Sequence, residues 1–540
     1  MNTWNRSQQV AALNDRFDVV VIGGGVVGAG AALDAATRGL RVALIDRDDW
    51  ASATSSRSTK LLHGGVRYLS QLRFGLIREG LREQKVLATT ADYLFTPFDF
   101  VIPVFRDRAF ADAPRWARHP RVFPIALRLG LWFYDRLGAR PWRVKRKIDR
   151  AELLRRFPKL KTDGLRHGVI YRDAKTDDAR LTLMLAKTTA SLGGTAANHV
   201  EAQAVERDGD GFVVRAHDRL EGRDIDIRAR TVIAATGPFV PPPGGNTEPL
   251  PVILSKGAHL VVDPDDVGIG DSALVLPETD DARVMFVVPW QGIGVVGTTD
   301  TPYDADVEHP VTDTDDVEYM LRHVHEYLDV DEIDPISAWS GLRALAAGGG
   351  GSTAKASRAH KLVELAPGYV QVAGGKLTGY RRIATQVVNR VAKRLGKVSR
   401  TGTPNQMIAG AGVTDEVRAD TERRVAELGL PSNYARELTE RYGANAGAVL
   451  DVAAESETLR TVIAGRWSLA EAAYGARHES TATITDVVQR RTHIAWFTRD
   501  HGERALEPIG RVLADELGWD DARLSAELER VRADLKAEGL

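Results

Sequence analysis

The chain has 540 residues, a formal net charge of -1, a globular balance of hydrophobic (43%) and charged (27%) residues, and no cysteine. That length predicts two or three domains, and the near-neutral charge gives no bulk reason to bind nucleic acid, so any anion site must be local. The missing cysteines exclude disulfide scaffolds, thiolate metal centres, redox dithiols and a cysteinyl flavin bond, and they fit a reducing cytoplasm.

The first residues, "MNTWNRSQQVAALNDRFD", lack the apolar core of a signal peptide. No later stretch reaches the ~18 consecutive apolar residues that span a bilayer. "FDVVVIGGGVVGAGAALDAATRGLRVALIDR" reads as a strand over 17–22, a glycine turn, a helix over 26–38 and a strand over 41–45. "SSRSTKLLHGGVRYL" follows, with Arg57, Lys60, His63 and Arg67 but no acid. Residues 114–148 then run from Arg115 to Lys147 with Asp135 as the lone acid, and carry Trp116, Trp132 and Trp142. A basic element with aromatic anchors suits an anionic lipid surface, and equally a packed helix with snorkelling arginines.

Further along, "DDARLTLMLAKTTASLGG" predicts a helix over 179–192, and short β-like runs lead to the turn at Thr236 and Gly237. Between 251 and 300, "VILSKGAHLVV", "ARVMFVVPW" and "GIGVVGTTD" predict a second, more antiparallel sheet, followed by a helix over 315–328. Four glycines at 348–351 mark a loop, and "YVQVAGGKLTGYRRIATQVVNRVAKRL" returns as strand, glycine turn and helix. Beyond Gly402 the periodicity is helical.

Gly23, Gly25 and Gly28 form G-x-G-x-x-G between strand and helix, with Asp46 at the end of the next strand. The glycines permit a tight turn and close backbone approach to a pyrophosphate, and the acid accepts from an adenosine ribose while disfavouring a 2'-phosphate. Gly292, Gly294 and Gly297 match the same pattern, but a proline follows and no helix does, so that copy reads as a strand or hairpin. One nucleotide site with partner pieces scattered to Gly237 and Gly375 fits a long flavin better than NAD. Without a second fingerprint, electrons come from the substrate and leave to a quinone, a carrier or oxygen.

Taken together, "VIGGGVVGAGAALDAATRGL", "ATSSRSTKLLHGGVRYL", "DDARL", "KGAHLVV", "GTTDTPYD", "SGLRAL" and "GGKLTGYR" resemble FAD-dependent, quinone-linked glycerol-3-phosphate dehydrogenases in order and spacing. The resemblance covers about 17–384 and, more loosely, the C-terminal helices. It implies an α/β fold in which a Rossmann-type FAD-binding domain is interleaved with a mixed, largely antiparallel substrate domain, as in amino acid oxidase-like flavoproteins. The expected division is 1–402 for the oxidoreductase region and 403–540 for a helical domain. Within the first, FAD-binding segments fall at about 17–100, 175–250 and 340–400, and substrate-binding segments at about 100–175 and 250–340.

The resemblance further implies non-covalent FAD, sn-glycerol 3-phosphate as substrate, membrane quinone as acceptor, and a cytoplasmic protein held peripherally on the inner face of the membrane; it is compatible with a homodimer. Arg67, Tyr68, Arg343 and Lys376 take the family's substrate positions, where a dianionic phosphomonoester needs convergent cations. His259 is the candidate base and, with Arg343 and Lys376, completes the catalytic set. Gly23, Gly25, Gly28, Asp46, Thr54, Ser55, Ser56, Lys60, Leu62, His63, Gly64, Val200, Gly237, Gly375, Lys376, Leu377 and Thr378 are expected against the cofactor, His63 without a catalytic role; no metal is expected. Two positions depart from the family. Ala344 replaces a proline after Arg343, loosening the backbone there, and Gly379 replaces a threonine. An oxygen-using oxidase, an amino-acid or 2-hydroxy-acid oxidase and a flavin-binding regulator stay open as alternatives.

Overall fold

The structure, a computed structural model, describes residues 4–66, 74–106, 130–132, 134, 147–281, 283–346, 360–396 and 398–539. Arg67, Tyr68, the glycine run at 348–351 and most of the basic stretch at 115–147 lie outside them.

The apolar run before the glycine turn becomes the strand Arg16–Ile22, whose valines are wholly buried. Burial on both faces is the signature of a parallel sheet centre. It pairs in parallel with Val42–Ile45 on one side and Arg223–Ala234 on the other. Thr195–Ala197 and Tyr369–Ala373 extend the parallel array outward, and Lys361–Ala366 closes one edge antiparallel. Val200–Asp208 and Gly211–Asp218 fold back on Arg223–Ala234 as an antiparallel flap. The helix Val26–Thr37 packs against Tyr380–Leu395, where Gly30 leaves room for the ring of Tyr380. Ligands of such sheets sit beyond the carboxyl ends of the strands.

Among the described residues a second sheet of ten strands is mainly antiparallel. Its longest ladders join Thr96–Phe105 to Leu165–Lys175 and Val252–Val262 to Ser337–Ala346. The strand Ser337–Ala346 crosses the boundary expected at 340 and belongs whole to this sheet, because its pairing with Val252–Val262 continues to the Val252–Ala346 pair. Met285–Trp290 and Ile293–Gly297 form a hairpin turning at Gln291 and Gly292, so the second glycine pattern is a β-hairpin, as read from its context.

The C-terminal helices Asp415–Glu427, Ser432–Tyr442, Ala446–Ala454, Ala470–His478, Glu503–Leu517 and Asp521–Ala537 share one hydrophobic core with the back of this sheet. Aromatic contacts carry that junction: Trp496 meets Trp339, and Phe497 meets Trp290. Among the described residues, no helix is long and apolar enough to cross a membrane.

Candidate active site

The fingerprint turn is built by close backbone approach. Gly23 has φ +110°, and a Cβ there would stand 2.5 Å from the Ala235 carbonyl oxygen. A Cβ on Gly28 would run into the carbonyl of Gly23. The Gly24 N–H donates to Asp46 Oδ2 at 2.5 Å, and Asp48 N–H donates to Oδ1 at 2.8 Å. Burial, then the neighbouring Asp48 carboxylate, pushes Asp46 up to about 7. At the helix start, Val26 N–H donates to Ser55 Oγ at 2.9 Å.

From Ser55 the chain crosses to the second sheet. Thr54 Oγ1 donates to the Leu342 carbonyl at 2.6 Å, and a Cβ on Gly341 would stand 2.6 Å from Arg57 Cβ. Two residues past Arg57, Thr59 Oγ1 lies 2.8 Å from His259 Nε2. The register pairs Ser255 with Arg343, Gly257 with Gly341 and His259 with Trp339. Alternate residues of a strand share a face, so His259, Gly257, Gly341 and Arg343 line one trough floored by two glycines.

Arg343 lies across the floor of that trough. A Cβ on Gly257 would collide with its guanidinium, reaching Cζ and Nη1 at 2.7 Å. Its Nη2 donates to Thr298 Oγ1 at 3.1 Å, and its Nη1 to the Thr299 carbonyl at 3.2 Å and Asp300 Oδ1 at 3.3 Å. The side chain keeps 30% of its surface exposed. His259 is buried and stacks on Trp339 with ring centroids 5.6 Å apart. Burial, then the charges of Arg343 and Lys60, hold its pKa well below the ordinary histidine range, so the ring is neutral near pH 7. Ala344 sits inside the strand opposite Leu254, so the ladder sets its backbone where a proline ring would in the family.

The Lys60 side chain, expected against the cofactor, spends its ammonium within the protein. Its buried ammonium donates to Asp178 Oδ1 at 2.7 Å and to the Ser56 carbonyl at 2.5 Å, and lies over the rings of Trp290 and Trp339. A charge buried this deeply must be paired, and the pairing fixes the loop. Ser56 turns its hydroxyl to the Ala53 carbonyl at 3.4 Å. Leu62 joins the second sheet opposite Ala174, Thr378 Oγ1 donates to the His63 carbonyl at 3.2 Å, and Gly64 N–H donates to Asp173 Oδ1 at 3.2 Å. That Thr378–His63 bond ties the Gly374–Gly375 turn, Lys376 and the short helix Leu377–Gly379 to the same segment. Gly379 has φ -94°, which any residue adopts, so the missing threonine does not alter the backbone. Val200 N–H donates to the Asp46 carbonyl at 2.7 Å, and Gly237 turns the chain at φ +60°.

The family described as FAD dependent oxidoreductase matches residues 18–381, and that described as C-terminal domain of alpha-glycerophosphate oxidase matches 401–524. Glycerol-3-phosphate dehydrogenase of Mycobacterium leprae is 36% identical over 558 residues, covering 100% of this chain and 93% of the relative. The human mitochondrial enzyme of that name is 33% identical over 571 residues, covering 98% and 74%. The chain belongs to the FAD-dependent glycerol-3-phosphate dehydrogenase family. A solved Bacillus halodurans glycerol-3-phosphate dehydrogenase complexed with FAD superposes with a TM-score of 0.79 at 27% identity, covering 98% of this chain and 97% of that one. L-alpha-glycerophosphate oxidase from Mycoplasma pneumoniae shares the fold at 15% identity and a TM-score of 0.55, covering 72% and 97%.

FAD is therefore the cofactor of this dehydrogenase-family chain, and the site fits it. A Cβ on Gly25 would meet Ser55 Oγ at 3.1 Å and no other atom closely, which leaves the turn open to a pyrophosphate. His259 Nδ1 is a buried polar atom with no hydrogen-bond partner among the described residues. Sequence reasoning missed the contact of Thr59 with His259, because Thr59 stands in "SSRSTK", a segment read against the cofactor. It also missed Thr298 and Asp300, whose "GTTD" reads as the end of a strand and as part of the resemblance.

Proposed function

We propose that this chain oxidises sn-glycerol 3-phosphate to dihydroxyacetone phosphate and delivers the electrons to a quinone at a membrane. The observation that carries the reading is the trough in which a neutral His259 and the guanidinium of Arg343 share one sheet face across two glycines. Bound FAD supplies a two-electron acceptor for the hydride that leaves carbon 2. His259 takes the proton of the C2 hydroxyl at Nε2, where Thr59 already presents a hydroxyl at 2.8 Å. Arg343 orients the phosphate, and Lys376, with Arg67 and Tyr68 as further donors, neutralises it. A dianion entering beside Arg343 offsets the positive charge that depresses His259, so binding strengthens the base just when it is needed.

The C2 carbinol is oxidised to a ketone by losing a hydride and a proton, and the quinone is finally reduced by the same count of two electrons and two protons. The basic, tryptophan-bearing stretch at 114–148 supports a peripheral place on an anionic membrane surface on the cytoplasmic side. Anaerobic addition of glycerol 3-phosphate to the purified flavoprotein should bleach the flavin absorbance, while glycerol and lactate should not. An unchanged spectrum refutes the substrate. Stoichiometric hydrogen peroxide in air, with no quinone reduction, refutes the acceptor and leaves an oxidase. Sedimentation with anionic liposomes at low salt, reversed by added salt, tests the membrane surface.

A further inference from the structure

The loop after Asp46 is held by the C-terminal domain. Asp49 is wholly buried and its carboxylate receives four donors. Arg490 Nε reaches Oδ2 at 2.6 Å, Arg491 Nη1 reaches Oδ2 at 2.5 Å, and Arg491 Nη2 reaches Oδ1 at 3.0 Å. Asn198 Nδ2 completes the set at 2.9 Å, and it also donates to the Ser480 carbonyl at 3.0 Å. Arg490 also bonds Asp486 at 2.9 Å, and Asp486 lies 3.2 Å from His199 Nε2. Asp49, His199 and Asp486 stand close enough to ligate one metal ion. Two guanidiniums already balance the two carboxylates, so this is an ion-pair network rather than a metal centre.

The other side of the loop faces the cofactor turn. Trp50, next to Asp49, lies under the fingerprint, where a Cβ on Gly24 would stand 2.6 Å from its Cε3. Ala51 N–H donates to the Gly24 carbonyl at 3.2 Å, and Asp46 accepts the Gly24 N–H. Thus residues 46–51 touch Gly24 from three sides, and their middle residue is clamped by a buried π-helical turn, Val487–Arg491. Single π turns inside helices are frequent at functional sites.

We propose that Arg490 and Arg491 are positioning residues for the flavin: through Asp49 they set the loop that orients Asp46 and Trp50 beneath the dinucleotide turn. The C-terminal domain thereby acts on cofactor affinity from outside the cofactor site. The proposal needs FAD but not the substrate or acceptor assigned above, so it stands or falls separately from them.

The test measures FAD dissociation constants by flavin fluorescence on the full-length protein, well below the unfolding temperature of each variant. Asp49→Asn and Arg491→Gln should each weaken FAD binding at least tenfold, with turnover restored by excess FAD. Arg490→Lys, which keeps the charge, should weaken it less than Arg490→Gln. Arg477→Ala removes surface pairs with Glu455 and Glu516 in the same domain. It should lower the melting temperature and leave FAD affinity unchanged. Asp49→Asn with wild-type FAD affinity and only a lowered melting temperature overturns the proposal, since it makes the network a mere domain staple. Should Asp49→Asn not fold, hydrogen exchange on the wild type decides. FAD should protect 487–491 as well as the fingerprint turn, and unchanged exchange there refutes the coupling.

Discussion

Thr59 Oγ1 stands 2.8 Å from His259 Nε2, and four residues earlier Ser55 Oγ accepts the N–H that opens the dinucleotide helix. One short segment therefore bridges the flavin turn and the candidate base. Replacing Thr59 with valine keeps the shape and removes the hydroxyl. A single hydrogen bond is worth about 1 kcal/mol, so kcat/KM should fall about fivefold while FAD affinity holds. Steady-state kinetics beside a flavin titration check it. A loss of FAD binding would show that Thr59 serves the loop rather than the base.

His259 itself should matter far more. Removing a positioned base costs roughly 10²–10⁴ in rate, so His259→Gln should drop turnover by that order with the flavin still bound. Stopped-flow bleaching under anaerobic conditions isolates this step from reoxidation. Bleaching at the wild-type rate would assign the proton to another group.

Gly257 tests the trough without touching a charge. An alanine there meets the Arg343 guanidinium, which must swing away from Thr298 and Asp300. Gly257→Ala should raise KM for glycerol 3-phosphate by about tenfold, an effect near 1.4 kcal/mol, with little change in FAD affinity. An unchanged KM would mean that Arg343 does not hold the phosphate.

The buried pair of Lys60 and Asp178 makes a prediction about stability. Asp178 accepts from Lys60 Nζ, Ser58 Oγ at 2.6 Å and Ser58 N–H at 3.1 Å, all within the loop that crosses the site. Lys60→Met leaves a wholly buried carboxylate without its cation, and breaking such a pair costs about 3–5 kcal/mol. Thermal unfolding should show a lower midpoint. A loss of FAD affinity with no loss of stability would instead return Lys60 to the cofactor.

Much of this architecture was readable from residue patterns because the signals are local. The fingerprint needs only a strand, glycines and a helix start, and the false copy at Gly292 betrayed itself by its following proline. The trough was legible as "KGAHLVV" and "SGLRAL", but not its geometry, since the register that brings Gly257 opposite Gly341 joins residues far apart in the chain. Lys60 read as a cofactor contact because its partner, Asp178, lies 118 positions away in "DDARL". Arg490 and Arg491 gave no signal at all: "QRRTH" sits in a helical stretch, where arginines read as solvated charge until Asp49 is placed against them.

The neutral state of His259 also dictates how stability responds to acid. Its folded pKa lies well below that of a free histidine, so between the two values the unfolded chain binds the proton and the folded chain does not. This group therefore adds stability that is present above about pH 6.5 and lost as pH falls through that value toward the folded pKa. Asp46, raised to about 7, works the other way: its folded form holds a proton that the unfolded chain has released, so its contribution falls as pH rises from about 4 to 7. The wild-type curve mixes both, but a difference isolates the histidine. Melting temperatures of the wild type and of His259→Gln, measured from pH 8 to 5, should converge as the pH drops, because only the wild type carries the penalty of the buried ring. A constant gap across that range would mean that folding leaves the ring's pKa unshifted, and a gap that widens as pH drops would mean the folded ring holds the proton; either would remove it as a base poised to accept the C2 proton.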